Sequence, residues 1–355
     1  MTIAQIDCFP ITFRLKNPYS IAYESYDTAE NLLVRIETSA GLVGWGNAAP
    51  DVHVTGETFT QVSKVLAESL VPHLIGRDAR CVAALDELAR QKVPYAPAAR
   101  AAIDMAFYDL LGQRAGLPLY QLLGFARPRI LTSITIGIMS IEEGVRQAKE
   151  FVKSGFRALK IKTGRDWKED VERVRAIRQT VGPTIALRID ANQGYNAEDA
   201  IQMIRELPEC QIEFVEQPTP ANAWADLKAV HDASPVPIMA DESVRSARDV
   251  FNLAANKIVD LVNLKLMKTG GITGAIQAAE VATTAGVGIM LGCMDESRLS
   301  IAAAVHLACA LPGVQYADLD GSFDIRDDVA MGGFELKDGF LLPVDRPGLG
   351  IEVKI

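Results

Sequence analysis

Eight short apolar runs recur at nearly even spacing from residue 131 onward, and this period constrains the fold more than any other feature. The runs end near residues 137, 162, 190, 216, 241, 265, 292 and 318. The interval between successive ends is about what one strand, one helix and two loops consume. A doubly wound open sheet is the alternative, but no G-x-G-x-x-G follows an early strand, and eight even units favour closure into a barrel.

The segments on either side of this repeat show different sequence patterns. Residues 1 to about 55 alternate apolar and polar positions, which predicts an antiparallel meander. Helices follow, and one over 98–116 is predicted to end at Gly116, before Pro118. We therefore predict an α/β protein with an α+β N-terminal capping domain (1–122), a TIM-like (β/α)8 barrel (123–325), and a C-terminal segment (326–355) that packs back on the capping domain.

Composition and charge indicate a small-molecule ligand. The formal net charge is -9, without any Lys/Arg-rich run, which argues against nucleic acid or an anionic membrane as the main partner. No stretch reaches the ~18 to 20 apolar residues of a membrane span, and the N-terminus lacks a signal-peptide pattern. The five cysteines are scattered and form no C-x-x-C pair. We expect a cytoplasmic protein with reduced thiols.

The carboxyl ends of the predicted barrel strands carry many charged residues. Enzymes with this barrel place their chemistry at that edge. The charged positions are Lys160 and Lys162 on the second strand, Asp190 on the third, Glu216 on the fourth, Asp241 on the fifth, Lys265 on the sixth, and Asp318 and Asp320 on the eighth. Ionised groups that converge on one mouth must be paired or bound to metal, because burying an isolated charge is very costly.

Three successive strands supply Asp190, Glu216 and Asp241, which predicts a metal site. An all-oxygen pocket has the hardness that Mg²⁺ prefers, with positions left for water and a substrate carboxylate. Calcium usually takes more ligands. Histidine and cysteine are expected to be absent from these strand ends, which disfavours zinc.

The lysines predict proton transfer. Lys160 and Lys162 share one face of a strand, and Lys265 is expected to approach from the opposite side of the mouth. A lysine crowded by another cation and a divalent metal has a lowered pKa, so we expect Lys160 to favour the neutral amine of Lys162 as a base. A Lewis-acidic ion would stabilise the enediolate formed when a proton beside a carboxylate is removed.

The chain resembles the enolase superfamily, muconate lactonizing subgroup, over essentially its whole length. The matching motifs are "LKIKTG", "LRIDANQGY", "FVEQP", "MADES" and "LVNLKLMKTGGI", in order and spacing. The resemblance implies a modified (β/α)8 barrel, Mg²⁺ held by Asp190, Glu216 and Asp241, and Lys162 and Lys265 as the acid/base pair, a pattern already known for this superfamily. We also expect a homo-oligomer that acts on a small-molecule dipeptide.

Subgroup membership leaves cycloisomerisation, o-succinylbenzoate synthesis, N-acylamino acid racemisation and dipeptide epimerisation open. "ADLDGSFDI" favours the last, because Asp318 and Asp320 form an acidic pair suited to the α-ammonium group of a dipeptide. The Asp-x-Asp motif and "LGCMDES" look like those of dipeptide epimerases. We also assign Thr135, on the first strand, to substrate binding. A non-catalytic module that sequesters a dipeptide is a further alternative, against which Lys162 and Lys265 count.

Side-chain preference is expected to come from loops around the mouth. Glu24 lies in "NPYSIAYES", which aligns with the stretch where L-Ala-D/L-Glu epimerases carry an arginine; Asp51 lies in a second capping loop, and Asp295 follows the seventh strand. Three acids would repel an acidic side chain and attract a cationic one. The sequence therefore predicts dipeptides with Lys or Arg, with Ala-Glu and hydrophobic dipeptides as alternatives.

Overall fold

An antiparallel sheet and a group of helices form the N-terminal part of the protein. The computed structural model describes residues 1–355. The strands are β1 (Ile3–Ser20), β2 (Ser25–Thr38) and β3 (Val43–Ala48), paired in that order. The helices are α1 (Phe59–Lys64), continued by a π-helical stretch (Val65–Leu70) and α2 (Val71–Leu74), then α3 (Val82–Lys92), α4 (Pro97–Ala115) and α5 (Leu119–Leu122).

Local sequence explains how these elements end and pack. Gly41 takes φ 78° in the turn between β2 and β3, and Gly116 takes φ 69° directly after α4, conformations that glycine adopts without steric cost. The predicted end of this helix is therefore confirmed. Strand β3 lies so close to α4 that a Cβ on Gly46 would come within 1.8 Å of the Ala102 carbonyl oxygen.

Eight parallel strands follow, and their order in the sheet is their order in the chain. After β4 (Ile130–Leu131), they are β5 (Ile134–Ile136), β6 (Ala158–Lys162), β7 (Ala186–Asp190), β8 (Ile212–Glu216), β9 (Ile238–Ala240), β10 (Leu261–Lys265), β11 (Gly288–Gly292) and β12 (Val314–Asp318). A parallel bridge between Thr132 and Ala317 joins the two ends of the sheet. The predicted barrel is confirmed.

Helices on the outside of the barrel connect its strands. They are α6 (Ile141–Lys153), α7 (Trp167–Val181), α8 (Ala197–Arg205) with a 3-10 turn (Pro208–Cys210), α9 (Trp224–Ala233), α10 (Ala247–Ala255), α11 (Leu266–Thr269), α12 (Ile272–Ala285) and α13 (Arg298–Ala310). Side chains of Ser140, Asp166, Asn196 and Ser246 accept backbone N–H bonds at the starts of α6, α7, α8 and α10. No helix of the chain is both long and apolar enough to cross a lipid bilayer.

The last part of the chain contacts both the N-terminal part and the barrel. Its strands are β13 (Ala330–Gly332), β14 (Phe334–Lys337), β15 (Phe340–Pro343) and β16 (Ile351–Val353); β15 pairs with β4, and β13 with β16. Asp109 of α4 accepts a hydrogen bond from the Leu349 amide at 2.9 Å. The domain boundary predicted after residue 122 lies at the end of α5, and the one after 325 lies in the turn before β13. A single apolar core continues from the N-terminal sheet into the barrel, so the mouth is held against that sheet.

Candidate active site

A cavity of about 530 Å³ lies between the barrel mouth and the N-terminal sheet. Its barrel wall includes six of the predicted site residues, and the three predicted specificity acids also line it. The first group is Thr135, Lys160, Lys162, Lys265 and the Asp318/Asp320 pair; the second is Glu24, Asp51 and Asp295. These nine predicted residues therefore line one cavity that is large enough for a small peptide.

Lys160 lies beneath this cavity at the centre of a carboxylate cluster. Its Nζ is 2.8 Å from Asp190 Oδ2, 3.0 Å from Glu216 Oε2 and 2.8 Å from Asp318 Oδ2, and the residue is 2 % exposed. Burial favours the neutral amine, but the three carboxylates outweigh it and raise the pKa of Lys160 well above its usual range. Lys160 is therefore a fixed buried cation that balances several acids.

Lys162 and Lys265 stand on opposite sides of the mouth. Strands β6 and β10 are four positions apart in the eight-stranded order. Lys162 Nζ donates to Asp190 Oδ2 at 2.8 Å and Asn192 Oδ1 at 2.9 Å, while Lys265 Nζ lies 2.8 Å from Asp241 Oδ2. Burial favours neutral Lys265, but Asp241 outweighs it and raises the pKa of this lysine. The expectation that Lys160 and a divalent metal favour the neutral amine of Lys162 stays a prediction, whereas Lys160 and Lys265 themselves are each paired with carboxylates.

Asp190, Glu216 and Asp241 are the candidate metal ligands, and all three are fully buried. Burial, followed by the charge of Asp190, raises the pKa of Glu216 to about 8. Burial opposes ionisation of Asp190 and Asp241 as well, but their lysine partners outweigh it and hold both pKa values below the usual range. Asp190 and Asp241 therefore keep their negative charge although they are buried, whereas Glu216 holds its proton more tightly.

The donor chemistry of this cluster fits Mg²⁺. Glu216 Oε2 and Asp241 Oδ2 accept no hydrogen bond of good geometry, although Lys160 Nζ and Lys265 Nζ lie 3.0 and 2.8 Å away. Such under-bonded buried oxygens are ligands for a hard cation. Lys160 Nζ lies between Asp190 and Glu216, and Lys265 Nζ lies beside Asp241, so lysine ammonium groups balance the charge of these carboxylates.

Asp318 and Asp320 occupy different backbone settings. Asp318 ends β12, and its Oδ1 accepts a hydrogen bond from Ser133 Oγ at 2.6 Å. Asp320 lies in the following loop, so the prediction of two positions on one strand face is wrong in detail, although both line the cavity. Asp320 Oδ2 accepts from the Thr135 amide at 2.7 Å, and burial, then Asp318, raises the pKa of Asp320 to about 7.

The three specificity acids differ in their exposure. Asp295 Oδ2 accepts from the Tyr19 hydroxyl at 2.9 Å, and burial raises the pKa of Asp295 to about 6. Asp51 Oδ1 accepts from the amides of its own turn, at residues 53 and 54. The side chain of Glu24 is 43 % exposed. Tyr26 links the latter two, because its hydroxyl lies 2.9 Å from Glu24 Oε2 and 3.3 Å from Asp51 Oδ2.

Several site residues were missed from the sequence. Lys268 donates to the Asp241 carboxylate and to the Asn263 carbonyl, and its place one helical turn after Lys265 was the available signal. Asn192 was missed too, although its position two residues after Asp190 was a similar signal. Cys293 was also missed: it follows β11 and lines the cavity, although no cysteine or histidine lies at the ends of the three strands that carry the candidate metal ligands. Its Sγ accepts from the Gly321 amide at 3.3 Å.

Comparison with known proteins gives full-length matches. Residues 5–124 match the model of the mandelate racemase / muconate lactonizing enzyme N-terminal domain, and residues 143–354 match that of the enolase C-terminal domain-like family. An L-Lys-D/L-Arg epimerase from Methylococcus capsulatus is 45% identical over 99% of this chain and 99% of its own. A hydrophobic dipeptide epimerase from Enterococcus faecalis is 40% identical, again over 99% of both chains.

Solved structures agree with these matches. A dipeptide epimerase from Methylococcus capsulatus, in complex with Mg and the dipeptide L-Arg-D-Lys, aligns with a TM-score of 0.94 at 45% identity, covering 99% of each chain. A dipeptide epimerase from Enterococcus faecalis, with Mg and L-Leu-L-Tyr, aligns with a TM-score of 0.96 at 40% identity, covering 99% of this chain and 100% of the other.

Proposed function

The chain belongs to the mandelate racemase / muconate lactonizing enzyme family of the enolase superfamily and is an isomerase, and from this premise we propose that it is a Mg²⁺-dependent dipeptide epimerase. The reaction inverts the α-carbon of the C-terminal residue of an L,L-dipeptide. One observation carries the proposal: Lys162 and Lys265, on strands four positions apart in the barrel, line the same cavity as Asp318 and Asp320.

The two lysines would transfer protons on opposite faces of the α-carbon. One lysine, as the neutral amine, takes the α-proton, so that the C–H electron pair passes into the substrate carboxylate. The opposite lysine, as the ammonium ion, returns a proton to the other face. A single base could not deliver this proton without crossing the substrate plane, so bases on β6 and β10 are what inversion requires.

Asp190, Glu216 and Asp241 would hold Mg²⁺, which supplies Lewis-acid stabilisation of the charge that develops on the substrate carboxylate. Asn192 orients Lys162 through a 2.9 Å hydrogen bond. Lys268 holds the Asp241 carboxylate from below the cavity. These contacts fix the reacting side chains relative to the barrel.

Asp318 and Asp320 would bind the α-ammonium group of the N-terminal residue. Both carboxylates line the cavity, and each oxygen retains lone pairs beyond its present hydrogen bond. An N-acyl or N-succinyl group brings no cation to this position, so it gains nothing from two acids. The pair therefore supports a dipeptide with a free amino group.

A cationic side chain would suit the rest of the cavity. Glu24 and Asp51 line it from the N-terminal domain, and Asp295 lines it from the barrel loop that contacts Tyr19 of the N-terminal sheet. The L-Lys-D/L-Arg epimerase named above supports this preference by its 45% identity, whereas the hydrophobic dipeptide epimerase, at 40%, supports the apolar alternative. We include in the proposal a cytoplasmic location, with which five free cysteines agree, and a homo-oligomeric state.

A panel of L,L-dipeptides tests the function. Purified protein is incubated with Ala-Lys, Ala-Glu and Ala-Leu in the presence of Mg²⁺, and the L,D product is separated by chiral chromatography. We expect product from at least one dipeptide, with kcat/KM highest for Ala-Lys. Absence of product from the whole panel, with racemisation of N-succinyl-Lys instead, would contradict the epimerase assignment. Equal or better use of Ala-Glu would contradict only the cationic preference.

A further inference from the structure

Arg188 is a buried cation inside the barrel that the sequence motifs did not identify as functional. It lies two residues before Asp190 on β7 and is 2 % exposed. Its guanidinium carbon is 5.5 Å from the centre of the Phe214 ring and 5.1 Å from that of Tyr316. Its Nε donates to Glu213 Oε2 at 2.8 Å, near the start of β8. The side chain therefore lies inside the barrel, in contact with residues of β8 and β12.

The same guanidinium also contacts the seam where the barrel closes. Its Nη1 donates to the Ala317 carbonyl at 2.8 Å and to Ser133 Oγ at 3.1 Å. The Ala317 carbonyl also accepts from the Ser133 amide at 3.1 Å. A carbonyl oxygen has two lone pairs, so these two donors satisfy it.

These contacts determine where the Ser133 hydroxyl proton points. A guanidinium is only a donor, so Ser133 Oγ accepts from Arg188 and its single proton must go elsewhere. The Ala317 carbonyl, at 3.4 Å, is already satisfied, whereas Asp318 Oδ1 lies at 2.6 Å. The proton is therefore directed onto Asp318. With Lys160 on Oδ2 at 2.8 Å, both oxygens of this carboxylate are fixed.

We propose that Arg188 and Ser133 are positioning residues for substrate binding: Arg188 directs the Ser133 hydroxyl onto Asp318, and so orients the carboxylate that receives the ammonium group of the dipeptide. This inference rests on the proposed function. It predicts a selective effect, because only substrates that carry a free α-ammonium group use the orientation of Asp318.

The first test compares wild type with Ser133→Ala on the best dipeptide of the panel and on its N-acetyl derivative, which lacks the ammonium group. We expect kcat/KM for the free dipeptide to fall about tenfold, mainly through a higher KM, since one hydrogen bond to a charged group is lost. For the acetylated compound, kcat/KM should stay unchanged. Where its turnover is too slow to measure, its inhibition constant is measured instead and should also stay unchanged. Ser300→Ala, which removes another buried hydroxyl, is the matched control and should change neither.

A double-mutant cycle then tests whether Arg188 acts through Ser133. The quantity compared is the free-to-acetylated ratio, which is kcat/KM for the free dipeptide divided by the constant for its N-acetyl derivative. Arg188→Lys, or Arg188→Gln if the lysine variant does not fold, should lower this ratio in the wild-type background. The same substitution should leave the ratio unchanged in the Ser133→Ala background. Where neither Arg188 variant folds, the Ser133→Ala result decides.

The outcomes separate the two proposals. A wild type that epimerises no dipeptide removes the proposed function, and this inference with it. An active wild type whose free-to-acetylated ratio is the same in Ser133→Ala overturns the inference and leaves the proposed function in place. An equal loss on both compounds also overturns it, since that result indicates a purely structural role.

Discussion

Replacing Asp295 with asparagine should weaken the preference for cationic side chains more than any change at Glu24. The partly buried Asp295 carboxylate can form a charge-assisted hydrogen bond with Lys or Arg, worth about 1.5 to 3 kcal/mol, or roughly ten- to hundredfold in kcat/KM. The exposed Glu24 can contribute only about 0.2 to 1 kcal/mol, which is about fivefold at most. Asparagine keeps the shape of the side chain and the contact with Tyr19.

The preference should also depend on pH in a defined direction. Burial raises the pKa of Asp295 to about 6, so the side chain is ionised at pH 8 and increasingly protonated below pH 6. The protonated form gives a cationic substrate no charge contact. The ratio of kcat/KM for Ala-Lys to that for Ala-Leu should therefore fall between pH 8 and pH 5 in wild type. This pH dependence should be much weaker in Asp295→Asn.

The assay measures kcat/KM for Ala-Lys and Ala-Leu at several pH values in wild type, Asp295→Asn, Glu24→Gln and Asp327→Asn. Asp327 is an exposed acid with φ 54°, a conformation that asparagine tolerates, so its variant is the matched control. An unchanged Ala-Lys to Ala-Leu ratio in Asp295→Asn would refute the assignment of Asp295 to the side-chain pocket. A loss of the same size in the Asp327 control would point to a nonspecific charge effect.

Three further predictions concern metal and stability. Excess chelator should abolish activity, Mg²⁺ should restore it, and added Mg²⁺ should raise Tm by mass action; full turnover in chelator would contradict the metal assignment. Burial raises the pKa of Asp104 to about 7, so the folded state binds this proton more tightly than the unfolded chain does. The free energy of unfolding should therefore fall as pH rises from about 4 to 7. Thermal melts at several pH values should show a smaller fall in Asp104→Asn. Gly46→Ala should destabilise the protein by about 1 to 3 kcal/mol or prevent folding, because the added Cβ would collide with the Ala102 backbone. Gly144→Ala lies in α6 and has no neighbour nearer than 3.6 Å, so it should stabilise the protein by about 0.5 to 1 kcal/mol. Urea melts measure both changes.

The barrel and most of its charged mouth followed from spacing. Strand ends 24 to 28 residues apart carried the eight-stranded prediction, and parallel strands bring their carboxyl ends to one edge, which explains why Asp190, Glu216 and Asp241 meet beneath the cavity. The shared strand face of Lys160 and Lys162 was predictable as well, because residues i and i+2 of any strand point to the same side.

Contacts between distant segments could not be predicted in the same way. Ser133 and Asp318 are 185 positions apart, and only closure of the barrel brings them within 2.6 Å. The number of carboxylates around Lys160 depends on side-chain directions on three strands, so the direction of its pKa shift was not readable from the chain. Asp320 lies in a loop because β12 ends at Asp318, and strand ends are poorly marked in sequence.

The central claim, that two lysines exchange protons on opposite faces of one α-carbon, is tested most directly by deuterium incorporation in D₂O. Wild type, Lys162→Ala, Lys265→Ala and the exposed-lysine control Lys228→Ala are incubated with the L,L and L,D forms of the best dipeptide, and α-deuterium is measured by mass spectrometry. Wild type and the control should label both forms and interconvert them. Each site variant should lose epimerisation, and any residual exchange should be confined to one stereoisomer, opposite for the two variants. Wild-type epimerisation in both site variants would contradict the two-lysine mechanism.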